Sequence, residues 1–271
     1  MNIPIEDNFT DIIGKAQRGL GFSDQELAER AKVSCCQLKA LREGTVDDAV
    51  LRPVAGVLGL GGTALLALAQ ARYLPADVPE IEGLAHCNTV FRDMTVNSFV
   101  VWDPDSREAA FFDTGTDGDR MLDVAAKHNL NVVQILLTHT HGDHIFDLDR
   151  LKEKTKARAY VGEKEPLEGA ESFAPGQDFA IGKLTVETRL TCGHSAGGVT
   201  YFIRGMARPV AIVGDAIFAG SMGGGMVSYA DALRNNREQI LTLPDETILC
   251  PGHGPLTTVG EQKQVNPFFA I

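Results

Sequence analysis

The segment Thr138-His139-Thr140-His141-Gly142-Asp143-His144 constrains this chain more than any other stretch. It follows directly on the apolar residues Val132, Val133, Ile135, Leu136 and Leu137, a pattern that predicts a strand running into a turn rich in metal-ligand residue types. Neighbouring side chains in a strand face opposite ways, so His139 and His141 share one side while the turn swings Asp143 and His144 toward a second point. Two metal ions close together are the natural reading. Imidazole and carboxylate suit zinc, iron or manganese rather than calcium.

Further residues of the same kind stand downstream, each beside glycine. His194 lies in Thr191-Cys192-Gly193-His194-Ser195, Asp215 ends Val210-Ala211-Ile212-Val213-Gly214-Asp215, and His253 follows Ile248-Leu249-Cys250-Pro251-Gly252. Strand ends that open into glycine-rich turns are where rigid scaffolds hold reactive groups, because glycine permits a sharp turn and leaves room for a ligand. One proposed site thus gathers five of the chain's seven histidines.

Taken in order, the motifs resemble the metallo-β-lactamase superfamily and, within it, the glyoxalase II-like and persulfide dioxygenase-like branch. The resemblance spans about residues 80–271. It rests on Met94-Thr95-Val96-Asn97-Ser98, Asp113-Thr114-Gly115, the histidine-rich segment, Cys192-Gly193-His194-Ser195, Gly214-Asp215-Ala216-Ile217-Phe218-Ala219-Gly220-Ser221 and Pro251-Gly252-His253-Gly254-Pro255. It implies an α/β fold, the αββα sandwich. It also implies that His139, His141 and His194 hold one metal, that Asp143, His144 and His253 hold the other, and that Asp215 bridges them. Asp113 resembles a residue that orients a ligand without touching metal. In the iron-dependent dioxygenases of this branch only a mononuclear site is used. All seven ligand positions are filled here, so either occupancy is permitted. The expected cofactor is a pair of divalent ions, zinc first, with iron or manganese as alternatives.

A water bound to such ions ionises near neutral pH, and the resulting hydroxide attacks an ester, thioester or lactone carbonyl. Asp143 is the candidate catalytic group, placed to orient that hydroxide or take its proton. The expected activity is therefore metal-dependent hydrolysis of the glyoxalase II-like type on a small acyl thioester or related compound. A mononuclear iron persulfide dioxygenase is the second reading. Members of the branch that bind glutathione usually carry an arginine shortly after the Gly-Asp strand end, and Gly220-Ser221-Met222-Gly223-Gly224-Gly225-Met226 has none. The segment reads instead as a flexible glycine-rich wall with two methionines, suited to an adaptable apolar substrate.

At 271 residues, two domains are expected, a helical one over 1–76 and the hydrolase over 80–271. In the first, Ser23 and Glu26 form a capping-box pattern, and residues 25–31 and 33–44 resemble a phage-repressor helix-turn-helix. A metal- or thiol-responsive DNA-binding regulator is accordingly the alternative from another functional class. Residues 1–76 carry eight basic and nine acidic side chains, however, and the whole chain stands at −11. A polyanionic nucleic acid is a poor partner for such a balance. Packing or homodimerisation through the apolar helix at 63–69 is the favoured use.

Residues 54–71 contain several glycines and read as amphipathic helix, so no membrane partner is expected. The first seven residues show no basic-then-apolar signal pattern. Five scattered cysteines argue against a disulfide framework, and Cys192 reads as a small buried thiol. The cytoplasm is the expected compartment.

Overall fold

The structure is a computed structural model that describes residues 3–271. Five helices come first: α1 (Phe9–Leu20), α2 (Asp24–Ala31), α3 (Cys35–Arg42), α4 (Asp48–Val57) and α5 (Gly62–Ala69). The Ser23–Glu26 capping box forms as expected, and Ser34 with Gln37 makes the same reciprocal pair ahead of α3. α1 lies ahead of all the helices expected from the sequence. Asn8 and Asp11 cap its start, Gly21 ends it in the left-handed conformation, and Phe9, Ile12, Ile13 and Ala16 form its buried stripe.

Two sheets follow. β1 (Leu84–Phe91), β2 (Met94–Trp102), β3 (Glu108–Phe112), α6 (Asp119–Lys127), β4 (Asn131–Leu136), α7 (Gly142–Ile145), α8 (Leu148–Thr155), β5 (Arg158–Gly162) and β6 (Glu171–Phe173) make the first half. β7 (Phe179–Ile181), β8 (Leu184–Leu190), β9 (Val199–Arg204), β10 (Val210–Gly214), α9 (Tyr229–Asn235), β11 (Ile248–Pro251), β12 (Thr257–Thr258) and α10 (Val259–Val265) make the second. The strand orders are β1-β2-β3-β4-β5-β6 and β12-β11-β10-β9-β8-β7.

Alternation along the strands sorts their side chains between two faces. Phe99 and Val101 of β2, Ala110 and Phe112 of β3, and Leu136 of β4 face the opposite sheet, where Val186, Tyr201, Ile203 and Ile212 meet them. Val100, Trp102, Phe111 and Ile135 face the other way, onto Met121 and Ala125 of α6 and Leu148 and Leu151 of α8. Ala211, Val213 and Leu249 are covered by Ile240, Leu243 and Val259. Each of the valine, leucine, isoleucine, phenylalanine and methionine side chains among them stabilises the fold by about 1.5–3 kcal/mol when fully buried. The result is the αββα sandwich, preceded by helices.

The helical segment does not close on itself. Ile12, Ile13, Leu51 and Leu65 share one core with Met222, Tyr229, Ala232 and Phe268 from the far end of the chain. Met222 is therefore a core residue, and of the two methionines expected to line a flexible wall only Met226 is exposed. α9 runs on into a π-helical turn, Asn236–Ile240. The wider turn lets consecutive asparagines serve two loops: Asn235 donates to the carbonyl of Cys192 and Asn236 to that of Ala216, both at 2.8 Å.

Candidate metal centre

The site forms where β4, β10 and β11 end and the loop after β8 folds over them. His139, His141, His194 and Asp215 bring ligand atoms within 4.8 Å of one another, and Asp143, His144 and His253 do the same beside them. All seven residues singled out from the sequence are therefore in one place. Asp215 sits at the seam. Its Oδ1 is 3.3 Å from His144 Nε2, while its Oδ2 is 3.3 Å from His194 Nε2 and 3.4 Å from His253 Nε2.

The surrounding hydrogen bonds fix which nitrogen each imidazole turns inward. Thr138 Oγ1 donates its only proton to Asp113 Oδ2 at 2.8 Å, so it must accept from His139 Nδ1 at 3.0 Å. His144 Nδ1 donates to Asp113 Oδ2 at 2.8 Å, His194 Nδ1 to the Gly224 carbonyl at 3.0 Å, and His253 Nδ1 to the Thr95 carbonyl at 2.7 Å. All four thus turn Nε2, and not Nδ1, toward the centre. His141 presents Nδ1 instead, 3.1 Å from His139 Nε2 and 3.0 Å from His194 Nε2. Three nitrogen lone pairs facing one another have nothing to share except a cation, and tetrahedral ligands about 2.0–2.1 Å from zinc stand at roughly this separation.

Two observations test whether the residues fit a metal. His144 Nε2 and Asp215 Oδ1 are buried with no hydrogen-bond partner, although buried polar atoms are rarely left so. Glycine also clears the space: a Cβ on Gly252 would stand 2.2 Å from Asp215 Oδ1 and 2.6 Å from a ring carbon of His144. The residues fit. The electrostatics agree, since burial and the neighbouring imidazoles hold His139 well below the usual histidine range. Burial opposes the charged form of His144 and of His253 too, but Asp215 and its fellow carboxylates outweigh it, pushing them up to about 10 and about 11. The centre attracts positive charge, as protons or as metal.

Supporting residues that no spacing in the sequence announced hold the loops in register. Buried Asn97 donates to the carbonyls of Pro251 and Gly254 at 2.9 and 2.8 Å, tying β2 to the His253 loop across the two sheets. Glu165 accepts from the backbone of Thr140 at 2.8 Å and of Gly197 at 2.7 Å, clasping the His141 and His194 loops together. Tyr201, fully buried, donates to the carbonyl of Leu137 at 2.6 Å, just ahead of the histidine-rich turn. Cys192 is half-buried, accepts from Asn235 at 3.3 Å, and belongs to neither donor set. The other cysteines are free as well, so the described residues contain no disulfide, as expected. Among the described residues no helix is long and apolar enough to cross a membrane.

The sequence profile of the Metallo-beta-lactamase superfamily matches residues 92–253, from just after β1 to the last ligand. A probable metallo-hydrolase, YqgX of Bacillus subtilis, is 32% identical over 187 residues, 59% of this chain and 87% of that protein. The hydroxyacylglutathione hydrolase GloC of Haemophilus influenzae is 27% identical over 197 residues, 64% of this chain and 92% of its own. Among solved structures, the BLEG-1 B3 metallo-beta-lactamase superposes with a TM-score of 0.59 at 27% identity, over 69% of this chain and 100% of that one.

Proposed function

The chain belongs to the metallo-beta-lactamase superfamily, and from that membership we propose that it is a glyoxalase II-like hydrolase of small acyl thioesters, working with two divalent ions, zinc by preference. The observation that carries this reading is the presence of two complete donor sets joined at Asp215. A mononuclear centre would need only the first. His139, His141 and His194 would hold one ion, Asp143, His144 and His253 the other, with Asp215 shared. Bound there, the ions supply hydroxide at neutral pH and Lewis-acid polarisation of the scissile carbonyl.

The protein's own groups do the rest. Tautomers locked by Asp113, Thr95 and Gly224 keep the imidazoles aimed without rearrangement. Asp143, 3.3 Å from His253 through Oδ2, lies at the mouth of the second set, where its carboxylate orients the attacking water and takes its proton. Unpaired cysteines fit a reducing compartment, and we assign the protein to the cytoplasm. For the N-terminal helices we propose packing rather than DNA reading, because α3 exposes Cys35, Cys36, Gln37 and Lys39 while the segment as a whole carries no excess of positive charge.

Metal analysis combined with an oxygen electrode tests the reading. Two divalent ions per chain and thioester hydrolysis without oxygen uptake are expected. A single iron, with oxygen consumed on a persulfide and no hydrolysis, would establish the dioxygenase instead.

A further inference from the structure

Beside the metal centre lies a cavity of about 660 Å³, bounded by His194, Asp215 and His253 on one side and by Glu6, Lys15 and Arg18 on the other. The second wall is the N-terminal segment and α1. It is firmly attached: a Cβ on Gly19 would stand 2.2 Å from the ring of Tyr229, so α1 packs directly against the start of α9. Lys15 pairs with Asp7 and donates to the carbonyl of Met222 at 2.9 Å, and Asp7 also accepts from Ser221 Oγ at 2.5 Å. The charges of Lys15 and Asp7 are thus committed to each other and to the loop after β10.

Arg18 is not committed. Arg18 lines the cavity at its exposed side and, among the described residues, its side chain makes no hydrogen bond or ion pair. Gly14, one turn earlier, gives it room to lie along the helix, since a Cβ there would stand 3.1 Å from Arg18 Nη1. Glycine inside a helix is destabilising relative to alanine, so that room has a cost. Across the cavity, the stretch from Gly220 to Met226 offers no charged side chain.

We propose that Arg18 anchors a carboxylate on the substrate, so that the N-terminal helices supply the specificity of the pocket and the enzyme selects carboxylate-bearing thioesters. The inference rests on the thioester hydrolase reading above. A guanidinium fork matches a carboxylate through two parallel hydrogen bonds. A phosphate dianion would call for more donors than one arginine. A basic residue in the last turn also complements the helix dipole. That role alone would give the pocket no preference between charged and neutral ligands.

The test uses two non-hydrolysable thioethers, S-propyl-N-acetylcysteine with its carboxylate and the neutral S-propyl-N-acetylcysteamine. Each is titrated calorimetrically into the metal-loaded full chain and its Arg18→Gln and Arg18→Lys variants, with thermal denaturation confirming that all are folded. The acid should bind the unmodified chain on the order of ten- to a hundredfold more tightly than the neutral compound. Arg18→Gln should erase that preference, Arg18→Lys should retain part of it, and neutral-ligand affinity should not change. Equal affinities in the unmodified chain, no measurable binding of the acid, or a preference that survives Arg18→Gln would overturn the proposal. The matching S-acetyl thioesters separate the two readings. Charge-selective binding without hydrolysis of either thioester sinks the hydrolase and leaves the anchor, whereas hydrolysis of both with equal kcat/KM sinks the anchor and leaves the hydrolase.

Discussion

Asp113 Oδ2 accepts a hydrogen bond from His144 Nδ1 at 2.8 Å, and the same carboxylate takes the backbone N–H of Thr138 through Oδ1 at 2.7 Å. One side chain therefore sets the tautomer of a ligand in the second donor set and the backbone leading into the first. Asp113 does this from the left-handed region, at φ 53°, which costs a residue other than glycine about 1–3 kcal/mol. Such strain persists only where the surroundings hold it in place.

Asp113→Ala should consequently weaken metal binding by about ten- to a hundredfold, the usual penalty for losing a partner that orients a ligand. Competition with a chromophoric chelator measures it. An unchanged affinity would mean that His144 is oriented by packing alone.

Glu165 predicts a pH dependence. Burial works against its charged form, but hydrogen bonds from Ser195, Gly197 and Thr140 outweigh that and hold its carboxyl below the usual glutamate range. A carboxyl depressed by folding contributes stability above its unfolded pKa, and that contribution is lost as pH falls through the folded value. Denaturant midpoints measured from pH 7 down to pH 3 should fall less steeply for Glu165→Gln than for the unmodified chain. Parallel curves would show that the clasp carries no net charge-dependent stability.

Tyr201→Phe removes the donor that satisfies the Leu137 carbonyl in a fully buried position. The cost should be about 1–3 kcal/mol in unfolding free energy, because the abandoned carbonyl cannot find water. Thermal denaturation with a paired measurement of metal content checks it. A variant as stable as its parent would indicate that water or a neighbouring group replaces the hydroxyl.

DNA binding by α2 and α3 should be unmeasurable. Eight basic side chains face nine acidic ones in residues 1–76, and Arg42 is already paired with Asp24 at 2.8 Å. A fluorescence titration of mixed-sequence duplex DNA against the protein at low salt decides the matter. Tight binding that weakens steeply with added salt would restore the regulator reading.

The sequence made the candidate centre legible because the seven ligand-type residues stand in the segments that follow strands, with Asp143 and His144 on the short α7, and those segments converge at one edge of the two sheets. The sandwich itself was readable through the family resemblance that the motifs carry and not through alternation, since β2 and β3 are buried along nearly their whole length, on both faces. Around the centre, Asp113 was read as the residue that orients a ligand, and it does hold His144; the other supports were not legible. Asn97, Glu165 and Tyr201 act through partners 25 to 157 residues away, and no local spacing encodes such contacts. α1 did leave signals, an Asn8–Asp11 cap and apolar residues at helical spacing, but Gly14 and Gly19 inside it weaken a reading by propensity. Gly19 admits the ring of Tyr229 and Gly14 admits Arg18, so the residues that obscure the helix are the ones that fit it to the cavity wall.

Anomalous diffraction from crystals of the protein, collected on both sides of the zinc and iron absorption edges, tests the central claim most directly. Two peaks are expected, one among His139, His141 and His194 and one among Asp143, His144 and His253, with Asp215 reaching both. A map in which these side chains point apart, with no anomalous peak after soaking in either metal, would contradict the account.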